Sequence, residues 1–311
     1  MSSWIRIVAA GAAVLLAGGV AAGWASARRT EPAPDLTGFD RHTVLSADGT
    51  EISYLSLGSG PDLLVVVPGS LTMAADYAEL ARALADRFSV HVVDRRGHGT
   101  SGPQGPDYDV SDEVADVVAV QAATHAEYLV GHSYGGFVAL EAAKRGRFAA
   151  VAVYDPGMSV GGSMSTAWMD RAERHVAAGD DLDALTEFVR GTTPDAGRTP
   201  HWLLKAILPQ VIRRNRRQQM YDLMPTALRE HRELARLDDT YPSYAAIAAP
   251  LLVLNGSESG PAMTSGAERL ADVVPHVTRV TLDGLDHFGP DRTGPGEVAR
   301  AITDFFGRHP A

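Results

Sequence analysis

Short apolar segments of strand composition alternate with longer segments of helical spacing along most of this chain, and this alternation restricts its fold more than any other feature. The predicted strands are 51–56, 63–67, 88–93, 127–131, 149–154, 251–254 and 277–282. The predicted helices are 76–87, 110–125, 134–145, 267–274 and 297–306. Strands that are separated by helices pair in parallel and are covered by helices on both faces. The sequence therefore predicts an α/β fold with a mostly parallel central sheet.

The alternation is interrupted by residues 157–244, which contain only helix-like segments rich in Arg and Asp. Because the alternation resumes afterwards, we interpret this block as an insertion into one folded domain, 36–311. We expect it to form a helical cap over the carboxyl edge of the sheet, where ligands of such sheets bind. Some of its apolar side chains either line a channel to that edge or form the insertion's own core. They are Trp168, Met169, Trp202, Leu203, Ile207 and Met220.

A dense positive run, RRNRR at 213–217, lies within the insertion of a chain whose formal net charge is −10. We interpret the run as a solvated helix face. Contact with anionic lipid headgroups is the alternative, and it fits a protein tethered to a membrane.

Residues 1–35 differ in composition from the rest of the chain. Within them, residues 7–25 are uncharged and mostly apolar. The small-x-small pattern Ala-Ser-Ala at 25–27 indicates a cleavable signal peptide. The length of the apolar run and the two arginines at 28–29 indicate an uncleaved membrane anchor instead. We therefore expect an export or anchor segment followed by a linker, so that the protein is exported or tethered to a membrane.

Composition excludes several classes of function. The chain has no cysteine, which excludes disulfide frameworks, cysteine nucleophiles and thiolate-bound metal centres. Its 38 acidic residues outnumber its 28 lysines and arginines, so we expect no nucleic-acid partner. No metal, phosphate-loop or dinucleotide motif is present, and we expect neither a metal nor a cofactor. Composition leaves small-molecule chemistry, protein binding and a structural role open, and it does not decide the oligomeric state.

An apolar strand runs into Gly-x-Ser-x-Gly at 131–135 and continues directly into a helix. This context is typical of a nucleophile elbow, in which a sharp turn between strand and helix exposes a serine. Gly131 and Gly135 are small enough to let the backbone pass. Ser133 is therefore the candidate nucleophile, and the dipole of the following helix favours negative charge beside it.

A serine that attacks a carbonyl group also needs backbone N–H groups to stabilise the oxyanion. The residue after the nucleophile, Tyr134, supplies one candidate. The second is the N–H of Ser70, because the strand 63–67 ends in Pro-Gly-Ser at 68–70. An ordinary Pro-Gly turn is the alternative interpretation of that segment.

Of the eleven histidines, His287 is best placed to act as the base for Ser133. It follows the last predicted strand, and loops after parallel strands gather at the same edge of a sheet. His98 and His132 lie in glycine-bounded turns of the same region. We interpret these two as structural or pocket-lining residues.

Three motifs in register make the chain resemble the α/β-hydrolase superfamily. They are DRRGHGTS at 94–101, GHSYGG at 131–136 and DHF at 286–288, together with Pro-Gly at 68–69. The resemblance covers residues 42–308 apart from the insertion. It implies an α/β-hydrolase fold with a helical cap, cofactor-free serine chemistry, and the chain order nucleophile, acid, base.

The resemblance also implies a triad acid, and here the sequence departs from the usual pattern. Most relatives carry an Asp in a Gly-x-x-Asp turn after the strand before the last one, where this chain has Ser259. Asp155 ends a neighbouring strand, a position at which some relatives carry the acid. Glu258 is one residue from the usual place. We favour Asp155, keep Glu258 as the alternative acid, and expect Asp286 not to orient the neighbouring histidine.

These residues predict hydrolysis of an ester, lactone or amide of a small, apolar substrate through an acyl-enzyme, in the manner of a carboxylesterase. The same triad serves acyltransferases, carbon–carbon bond hydrolases and cofactor-free peroxidases, which residue spacing does not separate. A hydrolase-like protein that only binds a ligand is an alternative of a different class. The serine at position 259, in place of an acid, motivates it.

Overall fold

The computed structural model describes residues 30–311. They divide into a smaller compact unit, which includes residues 164–236, and a larger one, which comprises 34–163 and 237–311. The stretch 164–236 lies within the predicted insertion, 157–244.

The predicted export or anchor segment, residues 7–25, lies outside the described residues. Within residues 30–311, no helix combines the length and the apolar character that crossing a membrane requires.

The larger unit contains an eight-stranded sheet. Its strands are β1 (Asp40–Leu45), β2 (Glu51–Leu57), β3 (Asp62–Val67), β4 (Phe88–Val93), β5 (Tyr128–His132), β6 (Ala150–Tyr154), β7 (Leu251–Gly256) and β8 (Val277–Leu282). They lie side by side in the order β1-β2-β4-β3-β5-β6-β7-β8. Strand β2 is antiparallel to both of its neighbours, and the other neighbouring pairs are parallel. The prediction of a mostly parallel α/β sheet is confirmed.

The α-helices of the described residues share one numbering along the chain. They are α1 (Ala78–Leu84), α2 (Val110–Thr124), α3 (Tyr134–Ala143), α4 (Ala167–Ala178), α5 (Asp181–Thr192), α6 (Pro194–Gly197), α7 (His201–Val211), α8 (Arg214–Asp222), α9 (Met224–Arg236), α10 (Pro261–Val273) and α11 (Pro295–Phe306). Helices α4 to α9 belong to the smaller unit, and the rest belong to the larger one.

Burial separates the central strands from the edge of the sheet. Every residue of β5, β6 and β7 is buried, as expected for parallel strands that helices cover on both faces. The edge strand β1 is mostly exposed and mostly polar. It carries no apolar alternation, and the sequence does not predict it for that reason.

The C-terminal helix α11 is held on the sheet by aromatic rings. Phe306 of α11 stacks on Tyr128 of β5 with ring centroids 4.6 Å apart, and Phe88 of β4 meets both rings edge-on. All three rings are fully buried, and burial of such a side chain stabilises a fold by about 1.5–3 kcal/mol. The cluster fixes the end of the chain against β5, the strand that leads into Ser133.

The smaller unit has its own apolar core. Trp168, Met169 and Ile207 are at most 3% exposed. A Cβ atom on Gly191 would lie 2.2 Å from the Trp168 ring, so the packing there is close. These three side chains therefore belong to the core rather than to a channel, whereas Trp202 is 71% exposed. These three side chains therefore do not support the expectation of an apolar substrate.

The arginine run 213–217 is only partly a solvated surface. Arg216 is buried. Arg217 donates to the carbonyl oxygens of Pro209 and Ile212 at the end of α7, over 3.4 and 2.9 Å. Basic side chains commonly satisfy the last carbonyl groups of a helix in this way. The interpretation of the run as a solvated face is therefore wrong for Arg216, whereas Arg217 is partly exposed.

Candidate active site

Ser133 occupies a strained turn between β5 and α3. Its backbone angles are φ 54° and ψ −122°, a region that side chains other than glycine rarely adopt. The turn is clamped by the end of β6, because the Ser133 N–H donates to the Tyr154 carbonyl over 3.0 Å. The Ser133 carbonyl in turn accepts the N–H of Gly157 over 2.8 Å. The elbow predicted from Gly-x-Ser-x-Gly is therefore present in the backbone.

The two glycines of the elbow have no room for a side chain. A Cβ atom on Gly131 would lie 2.4 Å from the carbonyl oxygen of Gly135. A Cβ atom on Gly135 would lie 2.1 Å from the carbonyl oxygen of Val67, the last residue of β3. Because backbone atoms cannot move aside as a flexible side chain can, glycine is required at both positions.

His287 lies in the loop after β8 and connects the serine with a carboxylate. Its Nε2 is 3.1 Å from Ser133 Oγ, and its Nδ1 is 3.1 Å from Asp155 Oδ2. The imidazole is 29% exposed, so a substrate can reach it. The neighbouring Asp286 turns away from the ring and accepts hydrogen bonds from the Phe288 N–H and the Thr293 hydroxyl. As expected, Asp286 shapes the loop rather than orienting His287.

Asp155 directly follows β6 and is completely buried. Like Ser133, it has a positive φ, of 42°. Its Oδ1 accepts a hydrogen bond of 2.7 Å from Asn255, the polar residue near the end of β7. Its Oδ2 accepts 2.5 Å from the Ser259 hydroxyl, in addition to His287. The carboxylate is thus held by donors from the neighbouring strand end and the turn that follows it.

The structure brings one of the two candidate acids to the histidine. The ring nitrogens of His287 are bonded to Asp155 and Ser133, which leaves neither for Glu258. The main chain of Glu258 donates instead to the Leu285 carbonyl over 2.8 Å.

The electrostatic environment of His287 favours its protonated form. Burial acts against the charge, but the hydrogen bond and the charge of Asp155 outweigh it. Asp291 and Asp286 add smaller contributions of the same sign. Together these groups raise the pKa of His287 above its ordinary value.

The loop after β3 passes directly beside the serine. A Cβ atom on Gly69 would lie 3.0 Å from the Cβ of Ser133, so the main chain leading to Ser70 approaches the elbow closely. Tyr134 is the first residue of α3, where backbone N–H groups point out of the helix. Tyr134 thus follows Ser133 directly, and the loop that carries Ser70 passes beside the serine at Gly69.

A buried polar network supports this loop from behind. Arg95 forms two hydrogen bonds of 3.0 Å with Glu113, and it donates to the Gly69 carbonyl over 3.3 Å. The Nδ1 of His98 donates to the Thr72 carbonyl over 2.7 Å, because a carbonyl oxygen can only accept. The structural interpretation of His98 agrees with this contact.

Some residues of the site are missed by sequence reasoning. Asn255 carries a usable signal, since it is polar and lies at the carboxyl end of a buried strand. Arg95 lies in the quoted 94–101 motif without an assigned role. Tyr77 carries no such signal, because the sequence places it among apolar residues on the inner side of a helix.

The smaller unit contains a cluster of side chains of the kind that can bind a metal ion. Among the residues that the structure describes, the ligand atoms of His175, Asp180 and Asp183 lie within 4.8 Å of one another. Asp183 is already bonded to Lys205 over 2.6 Å, and Asp180 is exposed.

The sequence pattern of the Alpha/beta hydrolase family matches residues 64–301. The chain belongs to this family.

Related proteins agree with this assignment. Over 267 residues the chain is 27% identical to 2-(acetamidomethylene)succinate hydrolase of Mesorhizobium japonicum, which covers 80% of this chain and 88% of that protein. Over 259 residues it is 27% identical to the pimeloyl-(acyl-carrier protein) methyl ester esterase of Xanthomonas campestris, with coverage of 80% and 96%. The crystal structure of an alpha/beta hydrolase from Sphaerobacter thermophilus superposes with a TM-score of 0.70 at 30% identity, covering 85% of this chain and 100% of that one. The resemblance inferred from the three motifs is confirmed, and this α/β hydrolase shares the hydrolase activity of its relatives in general terms.

Proposed function

We propose that this hydrolase cleaves an ester or amide bond through an acyl-enzyme, with Ser133 as nucleophile, His287 as base and Asp155 as acid. One observation carries the proposal. A continuous hydrogen-bond path leads from Ser133 Oγ through the imidazole of His287 to Asp155 Oδ2, with both steps at 3.1 Å. Removal of a serine proton requires a base within this distance, and the base requires a group that orients it.

In the first half of the reaction, His287 Nε2 takes the Ser133 proton as Oγ attacks the carbonyl carbon of the substrate. The carbonyl oxygen becomes negatively charged, and the N–H groups of Ser70 and Tyr134 stabilise it. The imidazolium then gives its proton to the leaving alcohol or amine. The C–O or C–N bond breaks, and the acyl group remains on Ser133.

In the second half, water replaces the leaving group. His287 takes a proton from the water as its oxygen attacks the acyl carbon, and it returns the proton to Ser133 when the acid product departs. Asp155 keeps the Nδ1–H tautomer in place and stabilises the imidazolium in both halves. The raised pKa of His287 is in line with that role.

The names of relatives support the choice of bond. One is a methyl ester esterase, and another hydrolyses an acetamido compound. We therefore propose small esters, including lactones, and small amides as substrates. The polarity of the acyl group is left open.

A fluorophosphonate probe tests the nucleophile independently of the substrate. The wild type is expected to become labelled, and the folded Ser133→Ala variant is expected to stay unlabelled. Absence of labelling in the wild type would contradict the proposal and favour a ligand-binding protein.

Matched p-nitrophenyl esters and p-nitroanilides of increasing acyl length compare ester cleavage with amide cleavage. Product analysis with added alcohol detects acyl transfer.

We also propose that residues 7–25 export the protein or tether it to a membrane. Their uncharged apolar character supports this. Mass spectrometry of the N-terminus from membrane and extracellular fractions is the test. Cleavage near residues 25–27 indicates a signal peptide, and an intact N-terminus in the membrane fraction indicates an anchor. An intact N-terminus in the cytosolic fraction would contradict both.

A further inference from the structure

His132 is the last residue of β5, directly before Ser133, and the mechanism above gives its side chain no role. The residue is only 4% exposed. Its Nε2 lies 2.8 Å from the main-chain oxygen of His287, and its Nδ1 lies 2.6 Å from the hydroxyl oxygen of Tyr77. The ring thus touches the residue that carries the proposed base.

The positions of the protons follow from these partners. A carbonyl oxygen only accepts, so Nε2 of His132 carries the proton. Burial, and then the charge of neighbouring His287, lower the pKa of His132 to about 3. The ring is therefore neutral near pH 7, and its Nδ1 accepts the hydroxyl proton of Tyr77. Burial raises the pKa of Tyr77, which keeps that proton on the hydroxyl.

The same hydroxyl group extends the connection to the loop beside the serine. The Tyr77 oxygen accepts the N–H of Gly69 over 2.9 Å, and the Gly69 carbonyl accepts the Thr72 hydroxyl over 2.7 Å. Three hydrogen bonds therefore join the main chain of Gly69 to the main chain of His287, by way of Tyr77 and His132.

Packing keeps the His132 ring in its orientation. The ring of Tyr154 meets it edge-on at 5.8 Å, and the His287 ring lies tilted at 5.0 Å. The Tyr77 ring meets it from another side, also at 5.8 Å. A ring enclosed in this way holds both of its hydrogen-bond directions fixed.

We propose that His132 is a positioning residue, which holds the main chain of His287 and the Gly69 loop in fixed places around Ser133. This inference rests on the proposed function, because it concerns His287 as the base. An anchor at the carbonyl group fixes the main chain while leaving both ring nitrogens of His287 free for Ser133 and Asp155. Catalytic groups must be held to within about 0.5 Å, and a displacement of about 1 Å costs about 100-fold in rate.

The variants His132→Gln and His132→Asn form a matched pair. Both carry an amide group, but the glutamine side chain is longer by one methylene group. The amide of His132→Gln spans about the same distance as the two ring nitrogens, so it can accept from Tyr77 and donate to His287. The amide of His132→Asn reaches only the Nδ1 position. We measure the maximal rate and the half-saturating concentration of fluorophosphonate labelling, and compare melting temperatures.

The expected maximal rate falls by about 10- to 100-fold in His132→Asn and by less than about threefold in His132→Gln, with the half-saturating concentration unchanged. A merely structural role would affect both amides alike. Equal losses in two folded variants, or full activity in both, would therefore overturn the inference.

A measurement on the wild type tests the inference even if a variant does not fold. Nitrogen-15 NMR of the histidine rings is expected to find His132 neutral, with its proton on Nε2, between pH 5 and 8. A proton on Nδ1, or a charged ring, would overturn the inference.

The labelling experiment distinguishes failure of this inference from failure of the proposed function. If the wild type itself is not labelled, the proposed function fails. If it is labelled and the two amides behave alike, only the role of His132 fails.

Discussion

Ser259 donates its hydroxyl proton to Asp155 over 2.5 Å, at the same carboxylate oxygen that accepts the Nδ1–H of His287. In the usual pattern of the family that the chain resembles, the acid itself stands at the place of Ser259. In this chain the carboxylate comes from the end of the neighbouring strand β6, and a hydroxyl donor remains at the usual place. In the proposed triad, the Asp155 carboxylate therefore meets the imidazole beside position 259, although it comes from the neighbouring strand.

The two candidate acids are separated by a pair of amide variants. We expect Asp155→Asn to lower turnover by about 10⁴-fold, because the amide stabilises the wrong tautomer of His287 and cannot stabilise the imidazolium. Glu258→Gln is the matched control and is expected to stay within about threefold of the wild type, since both ring nitrogens of His287 are bonded to other residues. Rates are measured with p-nitrophenyl acetate. A large loss in Glu258→Gln alone would transfer the acid role to Glu258.

We expect that a carboxylate at position 259 can replace the carboxylate at position 155. Ser259 Oγ is 2.5 Å from Asp155 Oδ2, so a carboxylate at position 259 reaches nearly the same point. We expect Asp155→Ser combined with Ser259→Asp to label at least about tenfold faster with the fluorophosphonate probe than Asp155→Ser alone. A folded double variant that is no faster than the single variant would show that the strand end, and not only the meeting point, matters.

The raised pKa of His287 predicts how activity depends on pH. The base must be neutral to take the serine proton, so kcat/KM falls as the pH drops through this pKa. We expect the midpoint to lie above the ordinary histidine value of about 6.5. Asp155→Asn removes the main stabilising partner of the imidazolium, so its midpoint moves to lower pH, whereas that of Glu258→Gln stays in place. Rates of labelling against pH provide the measurement, and an unchanged midpoint in Asp155→Asn would contradict it.

We expect that even a methyl group at position 135 destabilises the nucleophile elbow. In Gly135→Ala the new Cβ meets the carbonyl oxygens of Val67 and Pro68 at 2.1 and 2.3 Å. We expect a loss of about 1–3 kcal/mol or more in the free energy of unfolding, together with slower labelling of Ser133. Gly296→Ala is the control, because nothing lies within 4 Å of its Cβ, and its effect is expected within about 0.5 kcal/mol. Urea unfolding of the two variants decides between these outcomes.

Most of the sheet is predictable from the sequence because its strands are buried on both faces. Parallel strands such as β5 and β6 form continuous apolar runs, which are easy to recognise. Strand β1 lies at the edge, faces solvent and has polar residues, so its pairing with β2 is visible only in three dimensions. Where the sequence predicts one helix at 76–87, the structure has a 3-10 turn, Ala74–Tyr77, followed by the shorter helix α1, which ends at Leu84.

The site is predictable as far as its residues lie in recognisable local patterns. Ser133 follows from the strand, the glycines and the helix around it, and His287 from its place after the last strand. The choice between Asp155 and Glu258 depends on how β6, β7 and their turns are aligned, which spacing along the chain does not fix. The bonds from Gly69 through Tyr77 and His132 join residues far apart in sequence, so no local pattern indicates them.

The distance along the chain between Ser133 and His287 has a consequence for synthesis. The two residues are separated by 154 positions, and the histidine follows the final strand of the sheet. At about 5–20 residues per second, a ribosome needs roughly 8–30 s to pass from the serine codon to the histidine codon. During this interval the nascent chain does not yet contain the proposed base for Ser133. Under the proposed mechanism, Ser133 can therefore begin hydrolysis only after His287 has been synthesised and has folded beside it.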